Sequence, residues 1–182
     1  VSKSWFFETN PPTIEEVSTE HSFVDDNGKN LTKTPTITVK FVASEELSEG
    51  SFTIDDILFV INNGDSTMGD AGVSHGSLES NDNVNYTLDI TTTSNCKVQV
   101  TVKNHPDDSA RFKDVAGNDN MPYTGQGVTW HFDNLGAGIS SIDAPAKKDA
   151  GENVIRYKIG DVIPFTVHFN EYITVQLDGD NL

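Results

Sequence analysis

One cysteine, Cys96, stands in 182 residues, so the chain can neither close a disulfide within itself nor build a cysteine-rich zinc site. Basic residues are scarce as well: 12 Lys and Arg face 28 Asp and Glu, a formal net charge of −16. Phosphate recognition draws on clustered Lys and Arg, so this balance argues against nucleic acid and against anionic membrane surfaces. It suits a self-repelling surface or one rich in oxygen ligands for cations. Long apolar runs are missing. The longest is Ile57-Leu58-Phe59-Val60-Ile61, far below the ~20 residues a membrane helix needs. The opening Val1-Ser2-Lys3-Ser4-Trp5 has no signal-peptide layout, which reads as a processed chain or a piece of a longer one. No apolar 3.6-residue period runs for three turns, so helices are not expected.

A period of two dominates instead. Ile37, Val39 and Phe41 alternate with Thr36, Thr38 and Lys40. The same alternation runs through Tyr86, Leu88 and Ile90, through Cys96, Val98, Val100 and Val102, through Val128, Trp130 and Phe132, and through Phe165, Val167 and Phe169. Each run reads as a strand with one face in the core. Ile57 to Ile61 is apolar on both faces, which predicts a central strand or one covered by a loop. Connections such as Asn62-Asn63-Gly64-Asp65 and Asp178-Gly179-Asp180-Asn181 are turn formers. Many short strands without helices predict an antiparallel sandwich.

The pattern also returns. Trp5-Phe6-Phe7-Glu8-Thr9 resembles Trp130-His131-Phe132-Asp133-Asn134 at a spacing of 125 residues (130 − 5), and Thr13-Ile14 falls on Gly138-Ile139 at the same spacing. Thr38-Val39-Lys40-Phe41 resembles Thr166-Val167-His168-Phe169 at a spacing of 128 (166 − 38). This self-similarity predicts residues 1–9 as the last strand of a preceding unit, 10–134 as one complete unit, and 135–182 as the opening of the next. The alternative is that another chain completes the terminal strands by strand donation.

Phe41-Val42-Ala43-Ser44-Glu45, Phe52-Thr53-Ile54-Asp55-Asp56-Ile57, Asn63-Gly64, Tyr86-Thr87-Leu88 and Asp114-Val115-Ala116-Gly117-Asn118-Asp119-Asn120 occur in that order. The series resembles the bacterial immunoglobulin-like repeats of large secreted surface proteins and adhesins. Tyr157-Lys158-Ile159-Gly160-Asp161-Val162-Ile163 with Phe165-Thr166-Val167-His168-Phe169 resembles the start of a sister repeat type. Two extra residues, Val42 and Ala43, separate Phe41 from Ser44-Glu45, and the stretch 104–113 is longer and more polar than the family pattern. The resemblance implies a structural, adhesive role in extracellular stalks, with calcium at or between domain ends.

The carboxylates bear on that ion. Calcium takes six to eight oxygen ligands, and the 114–120 loop offers four side-chain oxygen donors, Asp114, Asn118, Asp119 and Asn120, around Gly117. The plainer reading is a tight turn in which Asp114 and Asn118 bond nearby amides. The loop 25–30 is similar but lacks the spaced acids of an EF-hand. At the unit boundaries stand Asp133, Asp143 and Glu171, and, at the preceding boundary, Glu8 with Glu45 downstream. Clamping an ion between such acids would stiffen a joint; the bland alternative is an acidic, solvated surface.

Nucleophilic chemistry finds little support. Gly72-Val73-Ser74-His75-Gly76 spells Gly-x-Ser-x-Gly, but a nucleophile elbow needs a helix after the strand and none is expected here; no His-x-x-x-His pair occurs. His131 and His168 fall on the outward phase of strands, and Cys96, Trp5 and Trp130 on the inward phase, as core residues. The expectation is therefore an all-β, immunoglobulin-like antiparallel β-sandwich in tandem repeat. It would be a non-catalytic spacer at the cell surface, with neighbouring repeats as partners, calcium as the bound ion, and a host or surface glycan or protein as ligand. The alternatives are a carbohydrate- or protein-binding adhesive module and a filament subunit assembling by strand exchange.

Overall fold

The computed structural model describes residues 7–26, 29–104, 112–144, 157–171 and 173. Trp5 and most of the 1–9 strand expected from the repeat lie outside them, as does the turn at 178–181. The chain divides into two compact units, Val1–Asn134 and Leu135–Leu182. Both are built from strands, almost all paired antiparallel.

In the first unit, β1 (Ile14–Ser18), β4 (Thr36–Ala43), β7 (Asn85–Thr92) and β6 (Val73–Ser80) form a four-stranded sheet in the order β1-β4-β7-β6. A second sheet has the order β2-β3-β9-β8-β5, from β2 (Val24–Asp26), β3 (Lys29–Thr32), β9 (Val128–Phe132), β8 (Cys96–Val102) and β5 (Ile57–Ile61). The β3–β9 pair is parallel. Both sheets feed one core, a sandwich-like arrangement. Ile37, Val39 and Phe41 of β4 and Leu88 and Ile90 of β7 are fully buried in the same cluster as Val98, Val100 and Trp130 from the other sheet. Alternation explains this: strand side chains point to opposite faces, so one apolar residue in two suffices to line an interior. Each such side chain contributes about 1.5–3 kcal/mol when removed from water. Phe23 stacks on Trp130 at 6.3 Å, and Phe52 meets Phe41, Tyr86 and Phe112 edge-on at 5.7, 5.1 and 5.1 Å.

Register fixes where the chain enters and leaves. Ile14 lies opposite Ala43, and Asn85 opposite Val42, so entry is at that end of the four-stranded sheet. The exit, Phe132, lies opposite Cys96. Cys96 follows the far end of β7, where the Thr92 amide donates to the Pro35 carbonyl beside the start of β4. Entry and exit thus stand at opposite ends of an eight-residue strand, about 25 Å of extended chain.

Two expectations need correction. Ile57 to Ile61 is not a central strand: β5 closes one edge of its sheet, with Ile57 and Ile61 buried and Leu58 exposed. Phe59, on the same face as Ile57 and Ile61, is half-buried, and its ring stacks on His75 of β6 at 5.6 Å. The Phe165, Val167 and Phe169 face is not in a core either. In the second unit β10 (Ile139–Asp143) pairs antiparallel with β11 (Thr166–Phe169), and every residue of both strands is exposed. Among the described residues this unit has no second layer for the face to pack against.

Candidate functional site

The entry end of the first unit gathers five of the acids and amides that the sequence singles out, Asp114, Asn118, Asp119, Glu8 and Glu45. Asp114 is fully buried. Its Oδ1 accepts from the Asn118 amide at 2.8 Å and its Oδ2 from Asn118 Nδ2 at 2.7 Å. Gly117, at φ 91°, makes the turn that brings Asn118 back, and its amide donates to the Asp114 carbonyl at 3.1 Å. Burial alone would raise the Asp114 pKa, but the Asn118 side chain and the amides of Asn118, Gly117 and Ala116 together hold it below the ordinary carboxylate value. Its carbonyl accepts from Ser48 Oγ at 2.6 Å, tying the loop to the chain that follows β4.

Glu45 and Glu8 stand nearby. Burial, then the charges of Asp114 and Glu8, push the Glu45 carboxyl up. Glu8 Oε1 accepts from the Thr9 and Asn10 amides at 2.9 and 2.8 Å, and its carbonyl accepts from Asn118 Nδ2 at 3.4 Å. Asp119 is turned to Lys113 Nζ at 3.0 Å. Asp133 sits at the exit end, where its Oδ1 accepts from Asn95 Nδ2 at 2.5 Å. In the second unit Asp143 pairs with His168 Nε2 at 2.9 Å, and Glu171 is half-buried with an unpartnered Oε1.

These positions fit a calcium ion poorly. Asp114 spends its oxygens on amide donors, and Glu8 bonds the two amides that follow it. The described residues contain no group of three or more His, Cys, Asp or Glu side chains that could hold a metal ion. The chemistry of the 114–120 loop is that of a pinned turn.

Sequence reasoning missed two polar ties. At the entry the Ser44 amide donates to the Thr13 carbonyl at 2.9 Å, while the Thr13 amide donates to Ser44 Oγ at 3.0 Å. At the exit the Asn134 amide donates to Asn95 Oδ1 at 3.1 Å, and the Asp133 amide to the Thr32 carbonyl at 2.9 Å. Asn95 follows Ser94 in a turn between two alternating runs, which was its only signal. An open, polar cleft of about 460 Å³ lies beside this exit, lined by Asn62, Asp65, Asn95, Lys97, His131 and Asp133 among others. Cys96 at its floor is buried, and burial raises its thiol pKa, so it is a poor nucleophile.

The molecule is therefore an all-β protein whose first unit places two sheets around one core and anchors its incoming and outgoing chain at opposite ends. No family model, curated protein or solved structure matches the chain.

Proposed function

We propose that this chain is a non-catalytic, load-bearing spacer, an immunoglobulin-like sandwich repeated in tandem within an extracellular surface protein or adhesin. The observation that carries the reading is the placement of entry and exit at opposite ends of the first unit, each held by backbone and side-chain ties. Tension along the chain would then run lengthwise through the strands. It would shear whole ladders of hydrogen bonds at once instead of peeling them singly. The acid-rich surface, at net charge −16, keeps neighbouring copies apart. The resemblance of the 41–57 and 114–120 motifs to bacterial surface repeats supplies the setting.

Stretching single molecules of the full chain from its two termini tests the mechanical part. The first unit should give one discrete rupture, releasing its folded length in a single step. Gradual extension with no rupture peak would overturn the reading. A glycan array separates the spacer from the adhesive alternative: specific binding that is lost on Lys97→Ala at the exit cleft would favour a binding module.

A further inference from the structure

The β10–β11 pair repeats the β1–β4 pair residue for residue. In β1–β4, Ile14 faces Ala43, the register then shifts, and Glu16, Val17 and Ser18 face Val42, Phe41 and Lys40. In β10–β11, Ile139 faces Phe169, the register shifts at the same step, and Ser141, Ile142 and Asp143 face His168, Val167 and Thr166. The first strands are offset by 125 residues (139 − 14) and the second by 126 (169 − 43). The polar tie recurs at the same offsets. The Asn170 amide donates to the Gly138 carbonyl at 3.0 Å, and the Gly138 amide to Asn170 Oδ1 at 2.7 Å. These are the positions of Ser44 and Thr13.

This register replaces the spacing of 128 that sequence matching gave for the second strand. It places Glu171 on Glu45, and it removes the two-residue interruption at Val42 and Ala43, because Phe169-Asn170-Glu171 now falls on Ala43-Ser44-Glu45.

The map gives six inward positions. Ile14, Val17, Ile37, Val39, Phe41 and Ala43 correspond to Ile139, Ile142, Ile163, Phe165, Val167 and Phe169. Both sets are apolar throughout. The first set is at most 8% exposed; the second is 37–62% exposed. Apolar identity kept at every core position, with far less of the burial, marks a surface built to be covered. In the first unit the cover comes from residues 46–132, including Phe52, Phe112 and Trp130.

We infer that the Ile139, Ile142, Ile163, Phe165, Val167 and Phe169 face is one half of a second sandwich, and that its occupant is a stretch of the same polypeptide C-terminal to Glu171, folding as 46–132 fold in the first unit. The inference rests on the tandem part of the reading above and is independent of where the protein works or what load it bears.

A chain of residues 1–171 followed by a second copy of 46–134 joins the two units at the Glu45–Glu171 equivalence. Hydrogen exchange then compares this chain with the 182-residue chain. The Val167 and Phe169 amides should slow by about a hundredfold or more, as they pass from a local to a global opening event. Phe165 and Phe169 flank Val167, which holds the position of Phe41, so a second version carries Ile142→Val, Phe165→Val, Val167→Phe and Phe169→Ala and restores the first unit's packing. Unchanged exchange in both versions would overturn the inference. So would concentration-dependent dimerisation of the 182-residue chain that protects the same amides, since the occupant would then be a second copy in trans. A spacer that fails the stretching test while these amides become protected would separate the two readings.

Discussion

Asp114 receives both the amide and the side-chain nitrogen of Asn118, at 2.8 and 2.7 Å, inside a site that solvent does not reach. Asp114→Asn would turn an amide nitrogen toward those donors and leave polar groups unmatched. We expect the first unit to lose about 2 kcal/mol, the scale of a hydrogen bond to a charged group, by chemical denaturation. The folded pKa lies below the ordinary 3.8. The wild-type contribution is therefore fully present above pH 3.8 and is lost as pH falls through the lower, folded value. Asp114→Asn should flatten that acid limb of the stability curve. An acid limb identical to wild type would refute the assignment.

Glu45 behaves in the opposite sense. Burial and the charges of Asp114 and Glu8 raise its pKa above 4.5. Its ionised form therefore opposes folding above the raised value, and this opposition fades as pH falls toward 4.5. Glu45→Gln should raise the melting temperature at pH 7 and leave it nearly unchanged at pH 4. Equal shifts at both pH values would show that the charge is not the cause.

Calcium gives a separate reading of the same acids. From the pinned geometry of Asp114 and Glu8, adding millimolar calcium should move the first unit's melting temperature no more than magnesium does. A calcium-specific rise that disappears in Glu45→Gln would place an ion there.

Thr92 is almost fully buried, and its hydroxyl has no hydrogen-bond partner. Thr92→Val keeps the shape and removes an unpaired polar group. It should stabilise the first unit by about 1 kcal/mol, within the cost of leaving such a group unmatched. A destabilised variant would reveal a partner, such as a bound water, that the hydroxyl holds.

Gly127 leads into β9, where an added Cβ would fall 2.0 Å from the Val100 carbonyl oxygen. Neither backbone can yield without breaking the β8–β9 ladder. Gly127→Ala should cost about 3 kcal/mol or prevent folding, the range of severe overpacking. Near-wild-type stability would mean that β9 enters the sheet by another path.

The sequence made the strands of the first unit's interior legible because burial there follows strict alternation. Residues Ile37 to Phe41, Tyr86 to Ile90 and Cys96 to Val102 point as their periodicity says. The short strands were less visible. Ile14–Ser18 carries only Ile14 and Val17 inward, split by two glutamates, and Lys29–Thr32 has no apolar rhythm at all. Periodicity also cannot tell an edge from a centre, which is why Ile57 to Ile61 was misplaced. At the candidate site, residue type drew attention to Asp114 and Asn118 but could not say whether an amide or an ion would fill the carboxylate. The tying roles of Ser44 and Asn95 escaped notice because a single small polar residue in a turn is common.

The Phe59–His75 stack joins two of the four open margins of the first unit's sheets, β5 of one and β6 of the other. β6 is further kinked by the register shift between His75 and Leu78. Unpaired strand margins invite a neighbour to zip on. Here a ring bridge and a bend blunt both along the same seam, so a copy crowding in on that side would find no straight ribbon to extend into a fibril.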